Sequence, residues 1–299
     1  MVTRRVVGVL RPVDRLILTT DAPPGTSSVP SSVRAALVDP HWRRAMEEYT
    51  ALLANHTWNL VPRPPGTNVV TGKWIIHHKL TSDGSLDRYK ARWVLRGFTQ
   101  RPKVDYDKTF SLVVKFVIVR IVLSLALSRD WAIHQLDVKN VFFHGTLIEI
   151  VYSSQPTGFV DSACPDLVYR LNCSLYDLKQ APWAWYSHFA SHLASLGFVE
   201  AKSDTSLFIY RRGDDIVYLR LYVDDIMLTA YSANLLQRTI VALQREFTMK
   251  DLGPHHHFLL VTAERRSQGL FLHQLQYALD ILERDSMPDC KPYSTLVDT

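Results

Sequence analysis

The stretch LRLYVDDIML, residues 219–228, sets two adjacent aspartates between two apolar runs. Alternation with a period of two puts Leu219 and Leu221 on one strand face, so Asp224 lies on the other and Asp225 begins a turn into the next strand. Alone, the pair is typical of a tight turn, because aspartate favours turns. Two carboxylates among apolar neighbours need a cation, however, and carboxylates completed by substrate phosphates are typical of a Mg²⁺ site.

A third carboxylate for such a site occurs far upstream, in the stretch IHQLDVKNVFFHG. There Asp137 ends an apolar predicted strand. By itself it could equally cap the helix that follows. An aspartate at the end of one strand, combined with YVDD in a later one, is a more specific pattern. It predicts that the two strands meet in the folded chain.

Composition limits the alternatives. The chain has 299 residues, a net charge of +5 and a pI near 9.0, which permits a polyanionic partner. Its three cysteines show no paired spacing, which argues against a disulfide framework or a zinc site and favours a reducing compartment. No apolar run reaches the roughly 18 residues of a membrane span, so no membrane partner is expected.

Strand-like and helix-like segments mix without regular alternation, which predicts the α+β class. Residues 1–34 are rich in Pro, Ser and Thr towards their end and are predicted to be a disordered or linker segment. Residues 35–299 have globular character. Residues 72–98 are predicted to form a β-hairpin with SDGS at its turn.

Several longer blocks follow one another in a characteristic order: KWIIHHK, DGSLDRYKARWVLRGFTQ, HQLDVKN, SLYDLKQAP, LYVDDI and DLGPHHHFL. Through them the chain from about Ala35 to Thr299 resembles the reverse transcriptase of copia-type retrotransposons. The resemblance implies a right-hand polymerase, with fingers and palm to about residue 250 and a primer grip and partial thumb after it. It implies RNA-directed DNA synthesis with an RNA template, a DNA primer, dNTPs and two Mg²⁺ ions, or Mn²⁺ in their place. It also implies a virus-like particle in the cytoplasm, or the nucleus, as the location.

The resemblance gives roles to the residues of the first motif. Asp137 and Asp224 would bridge both metal ions, and Asp225 would assist them. The backbone carbonyl of Val138 would be a further oxygen ligand. The identity of the proton donor to pyrophosphate is left open.

A nucleotide site is expected opposite these carboxylates. In RYKARWVLRGF, alternation puts Lys90, Arg92 and Arg96 on one strand face and apolar residues on the other. A solvated basic face is the common reading, but the resemblance favours a clamp on the triphosphate. It also implies that the Phe142 ring crowds the sugar 2′ carbon and that Gln180 lies beside the nascent base pair.

Several positions depart from the pattern that the resemblance implies, and three of them bear on activity. Asp177 stands where a glycine is expected, Trp183 where an arginine is expected, and Leu260 where a glycine is expected. The changes at Asp177 and Trp183 are each reachable by one C→T or G→A codon change, which is typical of a decaying copy. The alternative function is therefore a catalytically inactive, nucleic-acid-binding remnant. YVDD and Phe142 argue against a third reading, an RNA-dependent RNA polymerase.

Overall fold

The helices and strands were assigned in a computed structural model that describes residues 25–81, 85–109, 115–254, 257–258, 261–266, 269–285 and 287. The α-helices of this described part are α1 Val33–Val38, α2 Pro40–Ala45, α3 Glu48–Ala54, α4 Phe116–Ser128, α5 Ala181–Ser195, α6 Ala233–Glu246 and α7 Leu275–Arg284. The strands are β1 Trp58–Val61, β2 Val69–Val70, β3 Gly72–Leu80, β4 Leu86–Leu95, β5 Ile133–Val138, β6 Tyr152–Ser153, β7 Val168–Leu171, β8 Phe198–Ala201, β9 Asp204–Arg212, β10 Asp215–Tyr222, β11 Asp225–Ala230, β12 Met249–Pro254, β13 His257–Phe258, β14 Val261–Arg266 and β15 Gly269–His273. Helices and strands are mixed along the chain, and the predicted α+β class is confirmed.

A six-stranded antiparallel sheet, in the order β12-β5-β11-β10-β9-β8, carries the two strands of the opening motif. The predicted apolar face of β10 is buried, since Leu219 and Leu221 are both 0% exposed and join the core that α5 and α6 contribute to. The opposite face packs against α4 through residues that include Val122 and Met227. Helices therefore cover both faces of the sheet and hold its strand ends in place.

The predicted hairpin of residues 72–98 is present as the pair β3–β4, with Trp74 opposite Trp93. Residues 82–84 of its predicted turn lie outside the described residues. On β4 the side chains of Trp93 and Leu95 are buried in a second core cluster. Alternation along the strand turns the other face, with Lys90 and Arg92, away from that core.

Two smaller sheets complete the architecture: a four-stranded sheet in the order β1-β7-β6-β2, and a three-stranded sheet in the order β13-β14-β15. In the described residues, no helix is long and apolar enough to cross a membrane.

The segment before β1 differs from its predicted form. The helical spacing of Trp42, Met46, Tyr49 and Leu53 after Asp39 predicts one helix, yet two helices, α2 and α3, are present. Trp42 and Met46 pack into a cluster with Ala91, while Leu52 packs into another. Asp39 does cap the first of them, accepting hydrogen bonds from the backbone N–H groups of His41 and Trp42.

The predicted linker is also partly structured. Residues 1–24 lie outside the described residues, but α1 begins at Val33, and Ser27 before it is hydrogen-bonded to His78 on β3 and to Tyr89 on β4. The Ser27 N–H donates to the Tyr89 hydroxyl, and Trp42 Nε1 donates to the Ser28 carbonyl. These contacts give residues near 27 a fixed place that composition alone does not reveal.

Candidate active site

The three predicted carboxylates come together at one edge of the six-stranded sheet. Asp225 at the start of β11 lies directly opposite Asp137 on β5. Asp224 occupies the loop between β10 and β11, and its carbonyl accepts a hydrogen bond from the Val138 N–H at 2.8 Å. The predicted tertiary contact between the two strands is present.

The positions of the two adjacent aspartates are the reverse of those predicted. Tyr222 pairs with Asp225, so the hairpin loop consists of Val223 and Asp224 only. Asp224 is therefore in the turn and Asp225 in the strand. A two-residue loop is the shortest common hairpin connection, and alternation along β10 alone does not show where that strand ends.

This loop has an unusual backbone. Val223 has φ = +50°, a left-handed conformation that is strained for a β-branched residue. The Trp185 indole donates from Nε1 to the Val223 carbonyl at 2.8 Å, and Trp185 itself is 1% exposed. A buried side chain of α5 thus holds the loop that carries Asp224.

Burial and the repulsion of neighbouring charges raise the pKa of two of these carboxyl groups, Asp224 and Asp225. Burial raises the pKa of Asp225 to about 6, the hydrogen bond from the Gln135 amide opposes the shift, and the charges of Asp224 and Asp137 add to it. Burial also raises the pKa of Asp224, with a further contribution from Asp137. A nearby cation would relieve both effects.

These oxygen donors fit a hard divalent cation. Within the described ranges, no group of three or more His, Cys, Asp or Glu forms a complete metal-holding cluster. Mg²⁺ does not need one, because it is usually bound by one or two carboxylates and completed by water and substrate phosphates. Asp137 and Asp225 in register supply such a pair. The carbonyl of Val138 as a further ligand stays a prediction.

Basic residues and carboxylates line one cavity of about 400 Å³. Its walls include Lys90 and Arg92 from β4 as well as Asp137 and Asp224. The charges of Arg92 and Lys90 lower the pKa of Asp224 against the larger effect of burial. Arg92 lies over the Tyr176 ring, with Cζ 4.5 Å from its centroid. Positive and negative walls around one cavity suit a ligand with phosphates bound to a metal ion.

Arg96 does not share the face of Lys90 and Arg92. β4 ends at Leu95, and Arg96 has φ = −87° and ψ = 71° in an exposed turn. It is not among the residues that line the cavity, and its N–H donates to the Thr71 carbonyl. The predicted alternation is wrong here because the strand stops one residue earlier. A contact of Arg96 with nucleotide stays a prediction.

The remaining two nucleotide candidates, Phe142 and Gln180, are not among the residues that line this cavity. Phe142, on a short 3-10 helix, is half-buried and meets the Tyr176 ring edge-on at 5.2 Å between centroids. Gln180 is 1% exposed; its amide donates to the Asp105 carbonyl and accepts from Gln100, both at 3.0 Å. Gln180 therefore braces the chain around it. The predicted contacts of both residues with substrate are not tested by the geometry.

Two of the three departing positions are described. Asp177 is exposed and has φ = +71°, a conformation that glycine adopts at less cost. Its carbonyl oxygen lies against Gly97, where an added Cβ would come within 1.7 Å of that oxygen. Trp183 is half-buried on α5, with the Lys108 ammonium 5.7 Å from its ring centroid. Leu260 lies outside the described residues.

Sequence patterns gave no sign of three further residues. Glu48 and Tyr176 line the same cavity, but they come from separate segments that only tertiary structure joins. Lys250 on β12 pairs with Asp137, so their side chains share one sheet face. Its strand could have been predicted from the alternation in FTMKDL, but not its register against β5.

With this geometry in place, comparison with known proteins gives the family. The family described as reverse transcriptase (RNA-dependent DNA polymerase) matches residues 55–298, and the chain belongs to it. Two similar relatives are the retrovirus-related Pol polyproteins from transposon RE2 of Arabidopsis thaliana and from transposon TNT 1-94 of Nicotiana tabacum. The first is 46% identical over 297 residues, and the second is 39% identical over 273 residues. The predicted resemblance to copia-type elements is confirmed.

These matches have limits of coverage. They cover 99% and 89% of this chain but only 20% and 21% of the two polyproteins, so the chain spans about a fifth of their length. A foamy viral protease-reverse transcriptase solved with double-stranded DNA aligns with 85% of this chain and 38% of its own, at 12% identity and a TM-score of 0.39. A TM-score this low does not support an inference from structure, so the family assignment rests on the sequence matches.

Proposed function

We propose that this chain is the polymerase part of a retrotransposon polyprotein and extends a DNA primer on an RNA template with dNTPs. One observation carries the proposal: Asp137, which lies in register with Asp225, lines together with Asp224 the same cavity as Lys90 and Arg92. Family membership supplies the reaction, and the cavity supplies opposed charges suited to a metal-bound triphosphate. In right-hand polymerase terms, the six-stranded sheet would be the palm and the β3–β4 hairpin part of the fingers.

In the proposed reaction the primer 3′-oxygen attacks the α-phosphorus, and pyrophosphate leaves. Magnesium, or manganese in its place, would lower the pKa of the 3′-hydroxyl and stabilise charge on the leaving group when bound. Asp137, Asp224 and Asp225 would hold it. Lys90 and Arg92 would bind the triphosphate oxygens, and the Tyr176 ring under Arg92 would keep the guanidinium turned towards them.

The remaining candidates would select and align the substrate. The Phe142 ring, held edge-on against Tyr176, would exclude a ribose 2′-hydroxyl. Gln180, fixed by Gln100 and Asp105, would keep the segment under the templating base rigid. Lys250, which shares a sheet face with Asp137, would place a proton donor near the leaving group.

A second candidate function, an inactive remnant, is supported by a different observation. Asp177 occupies a left-handed backbone position beside Gly97, where a side chain adds strain next to the basic strand. An inactive remnant that still binds nucleic acid would keep the basic cavity and lose extension.

Primer extension on an RNA template with Mg²⁺ and dNTPs tests both functions. The polymerase proposal expects extension that Asp224→Asn abolishes. If the chain is an inactive remnant, the native chain should bind the template without extending the primer. Asp177→Gly should then gain extension. Extension that survives Asp224→Asn would overturn the proposed site.

A further inference from the structure

We propose that Glu48 is a positioning residue for the triphosphate-binding strand β4: its carboxyl group fixes the outer edge of that strand and opposes the charges of Arg92 and Lys90 until phosphates replace it. The inference rests on the proposed function and adds to it a residue outside the metal and nucleotide sets. Glu48 is the first residue of α3 and lines the same cavity as Asp137 and Asp224.

The first argument is the backbone of β4. This strand pairs with β3 on one side only, so the N–H groups on its other side need partners elsewhere. Glu48 Oε1 accepts from the Trp93 N–H at 3.2 Å, and the Tyr176 carbonyl accepts from the Leu95 N–H at 3.1 Å. Trp93 and Leu95 are buried, so losing either partner would leave a buried donor unsatisfied. Arg92 lies directly beside one of these anchored positions.

The second argument is charge. Burial raises the pKa of Glu48 to about 7, while its hydrogen bond to Trp93 and the charges of Arg92 and Lys90 act against that rise. The charge of Glu48 in turn acts against the lowering of the Lys90 pKa by burial and by Arg92, Arg88 and Lys79. The carboxyl group is thus coupled to both cations. A bound triphosphate would compete with it for them.

Two substitutions separate these roles. Glu48→Gln keeps an oxygen acceptor for the Trp93 N–H and removes the charge, whereas Glu48→Ala removes both. Glu47→Gln is the matched control, because Glu47 is exposed and its side chain makes no capping hydrogen bond. Two readouts serve: hydrogen exchange of the Trp93 amide, and calorimetric binding of dTTP, dTDP and dTMP with Mg²⁺ at about pH 8.5, where this carboxyl is ionised.

We expect Glu48→Gln to keep the protection of the Trp93 amide and to bind dTTP roughly threefold to tenfold more tightly than wild type. The gain in affinity should shrink from dTTP to dTDP to dTMP, because each lost phosphate removes charge that competes with Glu48. A purely structural role of Glu48 would not depend on the number of phosphates. Glu48→Ala should lose the protection and bind dTTP less tightly than Glu48→Gln, and Glu47→Gln should match wild type.

Unchanged protection in Glu48→Ala would overturn the anchoring role, whether or not nucleotide binds. A Glu48→Gln variant that binds all three nucleotides as wild type does, or more weakly, would overturn the charge role. If exchange behaves as expected but no variant binds dTTP better than thymidine, the charge role and the proposed nucleotide site both fail, and the anchor alone stands.

Discussion

Asp225 on β11 lies directly opposite Asp137 on β5 in an antiparallel pair. Residues opposite one another share a sheet face, so the register brings two carboxylates together before any cation is present. Both belong to strands in the interior of the six-stranded sheet, where helices on the two faces restrict movement. The repulsion is built into the fold, and a bound cation is the simplest means of relieving it.

The first prediction concerns the loss of one of these carboxylates. Asp137→Asn should reduce primer extension by about 10²–10³-fold or more, because a carboxylate that would hold the metal ion beside the reacting phosphates is lost. The same variant should be at least as stable as wild type without metal, since removing one of two like charges relieves repulsion. Extension assays and thermal unfolding in EDTA measure the two effects. The control is Asp214→Asn, at an exposed turn, which should change neither. A large loss of stability in Asp137→Asn would contradict the account.

The second prediction is a pH dependence of stability without metal. The pKa of Asp225 is about 6 in the folded chain and near 3.8 unfolded, so the folded state binds more protons between these values. The free energy of unfolding should therefore fall as pH rises from about 4 to about 7, with this carboxyl contributing about 1–3 kcal/mol. Chemical denaturation across this range, in wild type and Asp225→Asn, measures it. The difference between the two isolates Asp225 from other groups titrating nearby. Parallel curves would show that Asp225 titrates normally.

The third prediction concerns Mg²⁺ itself. Carboxylates must be ionised to bind it, so stabilisation by Mg²⁺ should be small at about pH 5 and grow towards about pH 8. Each tenfold increase of Mg²⁺ above its dissociation constant should add about 1.4 kcal/mol. Thermal unfolding against Mg²⁺ concentration measures this. Asp225→Asn should lose most of the response and Asp214→Asn should keep it. Equal responses in both variants would place the cation elsewhere.

Much of this site follows from the sequence because it depends on local patterns. An apolar strand that ends in Asp137, a later YVDD and a basic alternating strand each carry a local signal, and their elements are present. Where strands end is less local: alternation continues through Val223 and Arg96, whereas β10 stops at Tyr222 and β4 at Leu95. The role proposed for Glu48 could not be predicted from the sequence. It depends on the packing of α3 against β4, and the spacing of residues along the chain carries no information about that packing.

The fourth prediction concerns Asp177 and Gly97, which touch through the Asp177 carbonyl. A non-glycine residue in the left-handed region costs about 1 kcal/mol, less for aspartate than for alanine. Asp177→Gly should therefore be neutral to slightly stabilising, and Asp177→Ala should be destabilising. Gly97→Ala should be far worse, because its Cβ would meet the Asp177 carbonyl oxygen at 1.7 Å and push β4 away from that segment. Urea denaturation ranks the three variants. Gly97→Ala with wild-type stability would show that this contact is loose.

The last prediction concerns how the loop that carries Asp224 is held. Val223 is strained at φ = +50°, and strain of this kind persists only where its surroundings enforce it. Trp185 enforces it through the hydrogen bond from Nε1 to the Val223 carbonyl. Trp185→Phe keeps an aromatic ring in the core but leaves that carbonyl without its donor, which should cost about 1–3 kcal/mol. Once the loop relaxes, Asp224 should shift relative to Asp137, so the stabilisation by Mg²⁺ should also fall. Trp183→Phe is the matched control on the same helix, since Trp183 is half-buried and the donor to the Val223 carbonyl is Trp185. If both variants lose stability and Mg²⁺ response equally, the effect comes from helix packing, and Trp185 does not position the loop.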